Sequence, residues 1–305
     1  MLNKKKYEVI MSVYSPDYDF LLKQLESILS QVEVQIKLII RLDGPDTEAQ
    51  IFLDRYFENK KIEHSIILGQ HIGACASYIE LLMRASPDCN VAFVDQDDLW
   101  SSDRLKELVE VLAFPHPILA VSSMAAIDSR ILELGDISLH RVVKNPRFVA
   151  FENALVENVI QGARMVLNPS AVKLLQENKP DTSRLVMHDA WVYLVMSAFG
   201  SIIFNQRTTF FYRQHANNLI GLSSNKFLRR LNRFLTSRNK QRYKMAFEFS
   251  RIFSNFPEAE KARLFADIPN VSLRRKISIL RDIKLLRQRK ADLVMYFISC
   301  IFTKS

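Results

Sequence analysis

Three carboxylates stand within four positions directly after an apolar run, and this cluster is the part of the sequence best suited to chemistry. Asp95, Asp97 and Asp98 follow residues 91–94. Carboxylates this close repel one another and raise each other's pKa unless they share a cation. A hard divalent cation such as Mn²⁺ or Mg²⁺ takes few protein carboxylates and completes its shell with water and diphosphate oxygens. The cluster therefore predicts a metal site that receives a nucleotide diphosphate. The alternative is a solvated acidic turn that caps the next helix.

Two later groups also have the chemistry of a site. Asp189 opens an apolar helix, where a carboxylate can act as a general base or serve only as a charge that the helix dipole stabilises. Arg213, Gln214 and His215 follow an apolar run. Arg213 can form charge-assisted bonds to phosphate oxygens, and His215 can bind the metal or a phosphate. An ordinary surface loop is the alternative for these residues.

Alternating strands and helices must position these groups. The pattern predicts strands at 7–14, 36–42, 64–68 and 90–94, and helices at 20–31, 47–57 and 74–84. Such alternation is typical of a mostly parallel, Rossmann-like sheet flanked by helices, in which ligands bind at the carboxyl ends of the strands. Asp43 and Asp95 each follow a predicted strand, so both are expected at that edge. Asp17 or Asp19 is expected to cap the first helix.

The rest of the chain predicts a helix at 104–112, a strand at 118–126, an irregular polar stretch at 128–157, a helix at 188–199 and a strand at 202–211. From residue 225 onward the pattern is helical and basic. Residues 221–305 hold 20 Lys and Arg against 6 Asp and Glu, whereas residues 1–220 hold 22 against 27. We therefore predict a catalytic domain over 1–221, with a nucleotide half at 1–127 and an acceptor half at 128–221. A basic α-helical region follows at 222–305.

Composition narrows the class of protein. Of the 305 residues, 48% are hydrophobic and 25% charged, as in folded globular proteins, which excludes a disordered or collagenous chain. Cys75, Cys89 and Cys300 form no CxxC pair, so we expect neither disulfides nor a zinc site, and a cytoplasmic location fits best. The longest apolar run, 293–302, is about half of the ~20 residues that span a bilayer. No signal peptide or transmembrane helix is expected.

The order of the motifs resembles that of the family 2 glycosyltransferases, which have the GT-A fold. The resemblance covers residues 7–221 and rests on the opening strand and helix, Asp43-Gly44, the D-Q-D-D-x-W run at 95–100, the His-Asp pair at 188–189 and the Y-R-Q-H run at 212–215. It is greatest to the rhamnosyltransferase-like branch, in which D-Q-D-D-x-W and Y-R-Q-H-x-N-N are characteristic. Leu42 and His71 depart from the family pattern, which usually has an Asp and an Asn at these positions.

The resemblance implies a role for each group. Those that contact the donor nucleotide would be Asp43 on the base, Asp95 on the ribose, and Gly73, Arg213 and Gln214 in the same pocket. Asp97 and His215 would bind the metal, and Asp189 would be the general base. Asp98, Trp100, Arg104 and His188 would support them. Arg104 either faces the carboxylates or lies exposed, and Asp98 either steadies the metal or starts the next helix.

The activity implied is inverting, metal-dependent transfer of a sugar from a nucleotide diphosphate donor to a glycan acceptor in cell-surface polysaccharide synthesis. Branch resemblance favours dTDP-rhamnose, with a UDP-hexose or UDP-HexNAc as the alternative donor. The basic tail, with apolar residues interleaved at 226–234 and 274–289, predicts peripheral docking on the inner membrane surface, near a lipid-linked acceptor. The alternative is that these apolar residues pack on the protein. No nucleic-acid partner is expected.

Two other classes compete with this interpretation. A nucleotidyltransferase would need a glycine-rich phosphate loop near the N-terminus, yet residues 14–19 contain no glycine. A non-catalytic membrane-surface adaptor would explain the basic tail, but it would leave the carboxylate, His-Asp and Arg-Gln-His motifs without a role.

Overall fold

The computed structural model describes residues 5–128, 141–214 and 238–303. The chain forms two compact units. The first, called the sheet unit, comprises residues 1–145, 161–177 and 200–222. The second, called the helical unit, comprises residues 146–160, 178–199 and 223–305. The boundary predicted at residue 221 stays a prediction, and the helical unit also includes two earlier segments of the chain.

A single sheet organises the described part of the sheet unit. Its strands are β1 (Lys5–Val13), β2 (Val34–Asp43), β3 (Glu63–Gly69), β4 (Asn90–Val94), β5 (Leu99–Trp100), β6 (Ile118–Asp128), β7 (Arg141–Val143), β8 (Met165–Leu167) and β9 (Ser201–Gln214). Their order is β3-β2-β1-β4-β8-β6-β9-β5, and β7 pairs with β6. Strands β1 to β4 are parallel, as are β6 and β9, whereas β8 runs antiparallel to β4 and β6. The mostly parallel α/β sheet predicted from the sequence is confirmed.

Helices cover this sheet or form the helical unit. They are α1 (Tyr18–Leu29), α2 (Thr47–Phe57), α3 (Gly73–Arg84), α4 (Phe151–Ala154), α5 (Pro169–Glu177), α6 (His188–Phe199), α7 (Arg238–Ile252), α8 (Pro257–Asp267), α9 (Leu273–Ile283) and α10 (Lys290–Phe302). Helices α1, α2, α3 and α5 belong to the sheet unit and the others to the helical unit. Within the described ranges, no helix has both the length and the apolar composition needed to cross a bilayer.

Burial on both faces explains the central strands. Val9, Ile10 and Met11 are consecutive in β1 and all are fully buried, although neighbouring side chains of a strand point to opposite faces. A parallel sheet covered on both sides requires such continuous apolar strands. Asp17 caps α1, because its carboxylate accepts hydrogen bonds from the N–H groups of Asp19 (3.1 Å) and Phe20 (3.2 Å).

The prediction of a helix at 104–112 is wrong. Two 3₁₀ turns stand there instead, Lys106–Leu108 and Val111–Ala113. The Gln31 side chain accepts from the N–H of Leu105 at 3.0 Å, and the N–H of Leu108 then bonds to the third preceding carbonyl, that of Leu105, at 3.2 Å. This tighter winding keeps Leu105 and Leu108 buried without a continuous α-helix.

The helical unit is built around α6. Residues 188–196 of this helix are all buried, so the helix is enclosed on every side. Its Trp191 ring lies 6.3 Å from Phe249 of α7, and Phe199 lies 4.7 Å from Phe253. The last part of the chain therefore completes the core around a helix that is encoded some 50 residues earlier.

Candidate functional site

The carboxyl ends of β1, β2 and β4 bring several polar groups to one edge of the sheet. β1 pairs in parallel with both β2 and β4, so the three strands end together. Asp43 is the last residue of β2, Tyr14 follows β1, and Asp95 follows β4. The sequence-based expectation that Asp43 and Asp95 share an edge is confirmed.

Asp43 is buried at this edge and bound from several directions. Only 2% of its surface is exposed. Its carboxylate accepts hydrogen bonds from the N–H groups of Ile72 and Gly73, each at 2.9 Å, and forms an ion pair with Arg41. Gly73 has a φ of +81°, a conformation that a glycine adopts without strain. Gly73 thus aims its N–H at Asp43 from the first residue of α3.

Arg41 is a site residue that the motif comparison missed. Its side chain is 3% exposed, and its guanidinium binds Asp43, the Glu80 carboxylate (3.1 Å) and the carbonyl of Gln70 (2.9 Å). A Cβ added to Gly69 would lie 2.7 Å from the Arg41 Cζ, so any other residue there would displace the guanidinium. The signal available in the sequence was a cation inside an apolar strand, two residues before the aspartate.

Two aromatic rings stack beside Asp43 and are half exposed. The rings of Tyr14 and His71 lie 4.4 Å apart with an interplanar angle of 29°. Gln96 holds the backbone of Tyr14 through two hydrogen bonds, accepting from its N–H at 2.9 Å and donating to its carbonyl at 3.1 Å. His71, which departs from the family pattern, therefore lies against the first loop of the chain. A flat ring system can stack on such a pair.

Asp95 is bound to a buried tyrosine. The hydroxyl of Tyr78 lies 2.9 Å from Asp95 Oδ1 and 2.6 Å from the carbonyl oxygen of Val94. Burial and the Asp95 charge raise the pKa of Tyr78 well above its usual value, so the phenol keeps its proton and donates it. Asp95 and Asp97 are both partly exposed at the edge of the sheet.

Asp98 differs from the other two carboxylates of the motif because it is fully buried. Its Oδ1 accepts from the N–H of Arg213 at 3.0 Å. Burial, and then the charges of Asp97 and Asp95, raise the pKa of Asp98 well above the ordinary aspartate value, against the effect of the Arg213 N–H. Asp98 does not start a helix, since the strand β5 follows it.

Arg213 is also buried rather than open to a ligand. Its Nε donates to the carbonyl of Asp97 at 2.9 Å, and its guanidinium lies 4.5 Å from the ring centre of Phe20. The predicted contact of Arg213 with a diphosphate would require the guanidinium to leave these partners.

Arg104 is buried, so the alternative of an exposed side chain is wrong. Its guanidinium lies 3.8 Å from the ring centre of Trp100 and donates to Ser122 (3.1 Å) and to the carbonyl of Ala163 (2.7 Å). Burial lowers the pKa of Arg104 to about 9, partly opposed by Asp98. Trp100 and Arg104 thus stack on each other in the core, and Arg104 lies within electrostatic range of Asp98.

Asp95 and Asp97 fit a hard divalent cation. Mg²⁺ and Mn²⁺ are held by one or two protein carboxylates together with phosphate oxygens and water. Among residues 5–128, 141–214 and 238–303 no group of three or more His, Cys, Asp or Glu side chains converges as metal ligands. A metal at this edge would therefore depend on ligands from the substrate or from His215, which lies outside the described residues, as do Asn217 and Asn218.

The predicted base lies in the helical unit. Asp189 is 5% exposed in the first turn of α6, and its Oδ1 accepts from the N–H of Ala190 at 2.7 Å. Arg242 of α7 is within electrostatic range of Asp189. Burial lowers the pKa of His188 to about 3, so this imidazole is neutral at physiological pH. Gln214 is the last residue of β9, and its backbone pairs with Asp128.

Comparison with known proteins gives a family and a fold. A family model described as "Glycosyl transferase family 2" matches residues 8–167, just over half of the chain. No curated protein matches the chain.

Three solved structures are similar over most of the chain. Residues 1–349 of S. aureus TarS match with a TM-score of 0.51 and 16% identity, over 96% of this chain and 90% of that one. The TarS complex with UDP-GlcNAc matches with a TM-score of 0.53 and 15% identity over the same shares. The mannosyltransferase PcManGT from Pyrobaculum calidifontis, in complex with GDP-Man and Mn²⁺, matches with a TM-score of 0.51 and 15% identity, over 98% and 86%. The predicted GT-A fold is confirmed.

Proposed function

Since the chain belongs to glycosyl transferase family 2 and is a nucleotide-sugar glycosyltransferase, we propose that it moves one sugar from a nucleotide diphosphate donor to a glycan acceptor with inversion. The observation that carries the proposal is the convergence of Asp43, Asp95 and Asp97 at the carboxyl ends of the parallel strands β1, β2 and β4. This is the edge where sheets of this kind bind nucleotides.

The donor base would bind at Asp43 and the stacked pair Tyr14 and His71. A carboxylate has about four acceptor positions. Three of them are used by Ile72, Gly73 and Arg41, and His71 Nδ1 lies 3.1 Å from Oδ2, so a ring N–H of uracil or thymine would have to bind in place of the His71 contact. The exposed rings beside it could stack on the base. Branch resemblance favours dTDP-rhamnose, while the TarS complex with UDP-GlcNAc makes a UDP-sugar the first alternative.

Metal dependence is the second part of the proposal. Asp97 would bind the cation directly, Asp95 would contact the ribose, and His215 would complete the ligands. A bound Mn²⁺ or Mg²⁺ would compensate the charge that develops on the departing diphosphate. The Mn²⁺ present in the PcManGT complex supports this choice of cofactor.

Transfer would proceed by one displacement. The acceptor hydroxyl oxygen attacks the anomeric carbon, the bond from that carbon to the diphosphate oxygen breaks, and the hydroxyl proton passes to Asp189. A single in-line step inverts the anomeric configuration. The neutral His188 beside Asp189 adds no positive charge that would weaken the base.

A donor panel tests the proposal. The protein would be incubated with Mn²⁺ and, in turn, dTDP-rhamnose, UDP-glucose, UDP-GlcNAc and GDP-mannose, with and without excess EDTA. We expect metal-dependent release of the nucleoside diphosphate from one donor. Pyrophosphate release from a nucleoside triphosphate and a sugar phosphate would instead indicate a nucleotidyltransferase. Binding to membranes without turnover of any donor would indicate an adaptor.

We also propose that the protein acts at the inner face of the membrane on an acceptor that is lipid-linked. In α9 and the segment after it, Ile279, Leu280, Ile283 and Leu285 are buried, so packing within the protein accounts for these apolar residues. One face of α10 is different. Val294, Met295, Ile298 and Phe302 recur along it at helical spacing and are exposed, Phe302 by 77%.

This α10 face, made of those four residues, resembles an interfacial helix. The neighbouring α9 has three exposed arginines, Arg274, Arg275 and Arg281. Each would contribute ~1 kcal/mol to the free energy of binding by contacting anionic headgroups. We expect sedimentation with phosphatidylglycerol liposomes at low salt and release as salt rises. Phe302→Asp should abolish it, whereas Phe114→Asp, at an exposed aromatic of the sheet unit, should not. Equal recovery with neutral phosphatidylcholine liposomes would contradict membrane docking and leave the transferase proposal intact.

A further inference from the structure

A reciprocal pair of hydrogen bonds ties the carboxylate turn at 95–98 to the end of β9. The backbone N–H of Arg213 donates to the side chain of Asp98 at 3.0 Å. The side chain of Arg213 donates in return to the backbone of Asp97 at 2.9 Å. One residue of β9 therefore fixes two successive residues of the turn.

Burial separates Asp98 from its neighbours in the motif. Asp97 is partly exposed at the edge where a donor would enter, whereas Asp98 is fully buried. The second oxygen of Asp98, Oδ2, has no surface exposure and no hydrogen-bond partner within the described ranges. A ligand to a cation shared with a diphosphate must be reachable from that edge, and Asp98 is not.

Arg213 is enclosed in the same way. Its guanidinium lies over the ring of Phe20 in α1, at 4.5 Å, and the whole residue is buried. Strands β5 and β9 hold the same region together, because Leu99 and Trp100 pair with Phe211 and Phe210. Helix α1, the carboxylate turn and β9 thus converge on Arg213.

We infer that Asp98 and Arg213 are positioning residues that hold the backbone of Asp97, and that neither contacts the metal or the diphosphate. The inference rests on the proposed function in so far as Asp97 is the metal ligand.

The two members of the pair call for different substitutions. D98N keeps an acceptor oxygen for the Arg213 N–H, while D98A removes the acceptor. R213M keeps an apolar stem over Phe20 but removes the donor to Asp97. D97N is the reference for loss of a true metal ligand. Thermal unfolding of each variant checks that the fold persists.

Hydrogen exchange of a peptide that includes residues 95–98 tests the pair without metal or substrate. Losing one buried hydrogen bond costs enough to speed local opening about tenfold. We expect D98A and R213M to exchange about tenfold faster here and D98N to stay near the wild type. R213M supplies this comparison if D98A fails to fold. Wild-type exchange in both D98A and R213M would overturn the inference.

A binding measurement tests which of these residues is a metal ligand. Mn²⁺ would be added together with UDP or dTDP, and the free Mn²⁺ would be measured by electron spin resonance. We expect D97N to lose Mn²⁺ binding, D98N to keep it within about threefold, and R213M to weaken it about tenfold. Loss in D98N equal to that in D97N would make Asp98 a ligand and overturn the inference. If the wild type bound no Mn²⁺ with either nucleotide, the metal proposal would fail, while the exchange result would still decide whether the pair holds the turn.

Discussion

The buried neutral His188 should make the helical unit sensitive to acid. This imidazole is 6% exposed, and burial lowers its pKa from an ordinary 6.5 to about 3. The unfolded chain binds the proton below pH 6.5, but the folded chain does not until about pH 3. The contribution of His188 to stability is therefore constant above pH 6.5 and falls as the pH drops through the range between these two values.

The size of the effect follows from the same values. Each unit of pH below the unfolded pKa costs ~1.4 kcal/mol. At pH 5 the folded state still takes up almost no proton, so the cost is fixed by the unfolded pKa alone. Between pH 7 and pH 5 the free energy of unfolding should fall by ~2 kcal/mol through His188.

Urea unfolding at the two pH values measures this difference. Trp191 lies three residues from His188 in the same helix, and in a Trp100→Phe background it is the only tryptophan. Its fluorescence then reports on the helical unit. Other groups also titrate in this range, so the quantity of interest is the difference between the parent and His188→Gln.

Between pH 7 and pH 5 the free energy of unfolding should fall by ~2 kcal/mol less in His188→Gln than in the parent. This difference does not depend on how stable the variant is at pH 7. His116→Gln, which replaces an exposed histidine of the sheet unit, should behave as the parent does. The same pH dependence in His188→Gln and the parent would refute the reasoning, because His188 would then be protonated in the folded state.

Three further predictions concern the sheet edge and the proposed chemistry. Asp97→Asn should reduce turnover at least a hundredfold, as removal of the metal with EDTA should, because the diphosphate charge would lose several kcal/mol of compensation; full turnover of the wild type in EDTA would contradict this. Asp189→Asn should keep the dissociation constant for the donor nucleotide but abolish transfer, since the base acts on the acceptor; an equal loss of nucleotide affinity would place Asp189 in the donor site. Gly69→Ala should lower the free energy of unfolding by ~1–3 kcal/mol, because the new Cβ collides with the Arg41 guanidinium, and a melting temperature equal to that of the wild type would show that Arg41 can move aside.

Local sequence signals were enough to predict the first and last residues of some helices and strands. The helices at 47–57 and 188–199 and the strand at 90–94 have the bounds that the pattern gave. For α2 the reason is visible, because Asp46 caps it by accepting from the N–H of Ala49 at 2.9 Å. The shared edge of Asp43 and Asp95 was predictable too, since parallel strands end on the same side.

Features that depend on distant partners could not be read in this way. Arg41 becomes a site residue only because β3 and α3 bring Gln70 and Glu80 to it. The burial of Arg213 depends on pairing between residues more than a hundred positions apart. No local pattern shows whether a cation near an acidic turn faces a ligand or the backbone of that turn.

The helical unit is assembled from separate segments of the chain, and this affects how the protein folds during synthesis. On the ribosome, α6 emerges about 40 residues before α7, whose Phe249 packs against Trp191. Until then, nine consecutive residues of α6 that the finished protein buries lack that part of their cover. A nascent chain that stalls after residue 221 should therefore need chaperones. For the same reason a protein shortened at that point is a poor control for membrane binding, since it would expose the α6 core as well as lose α10.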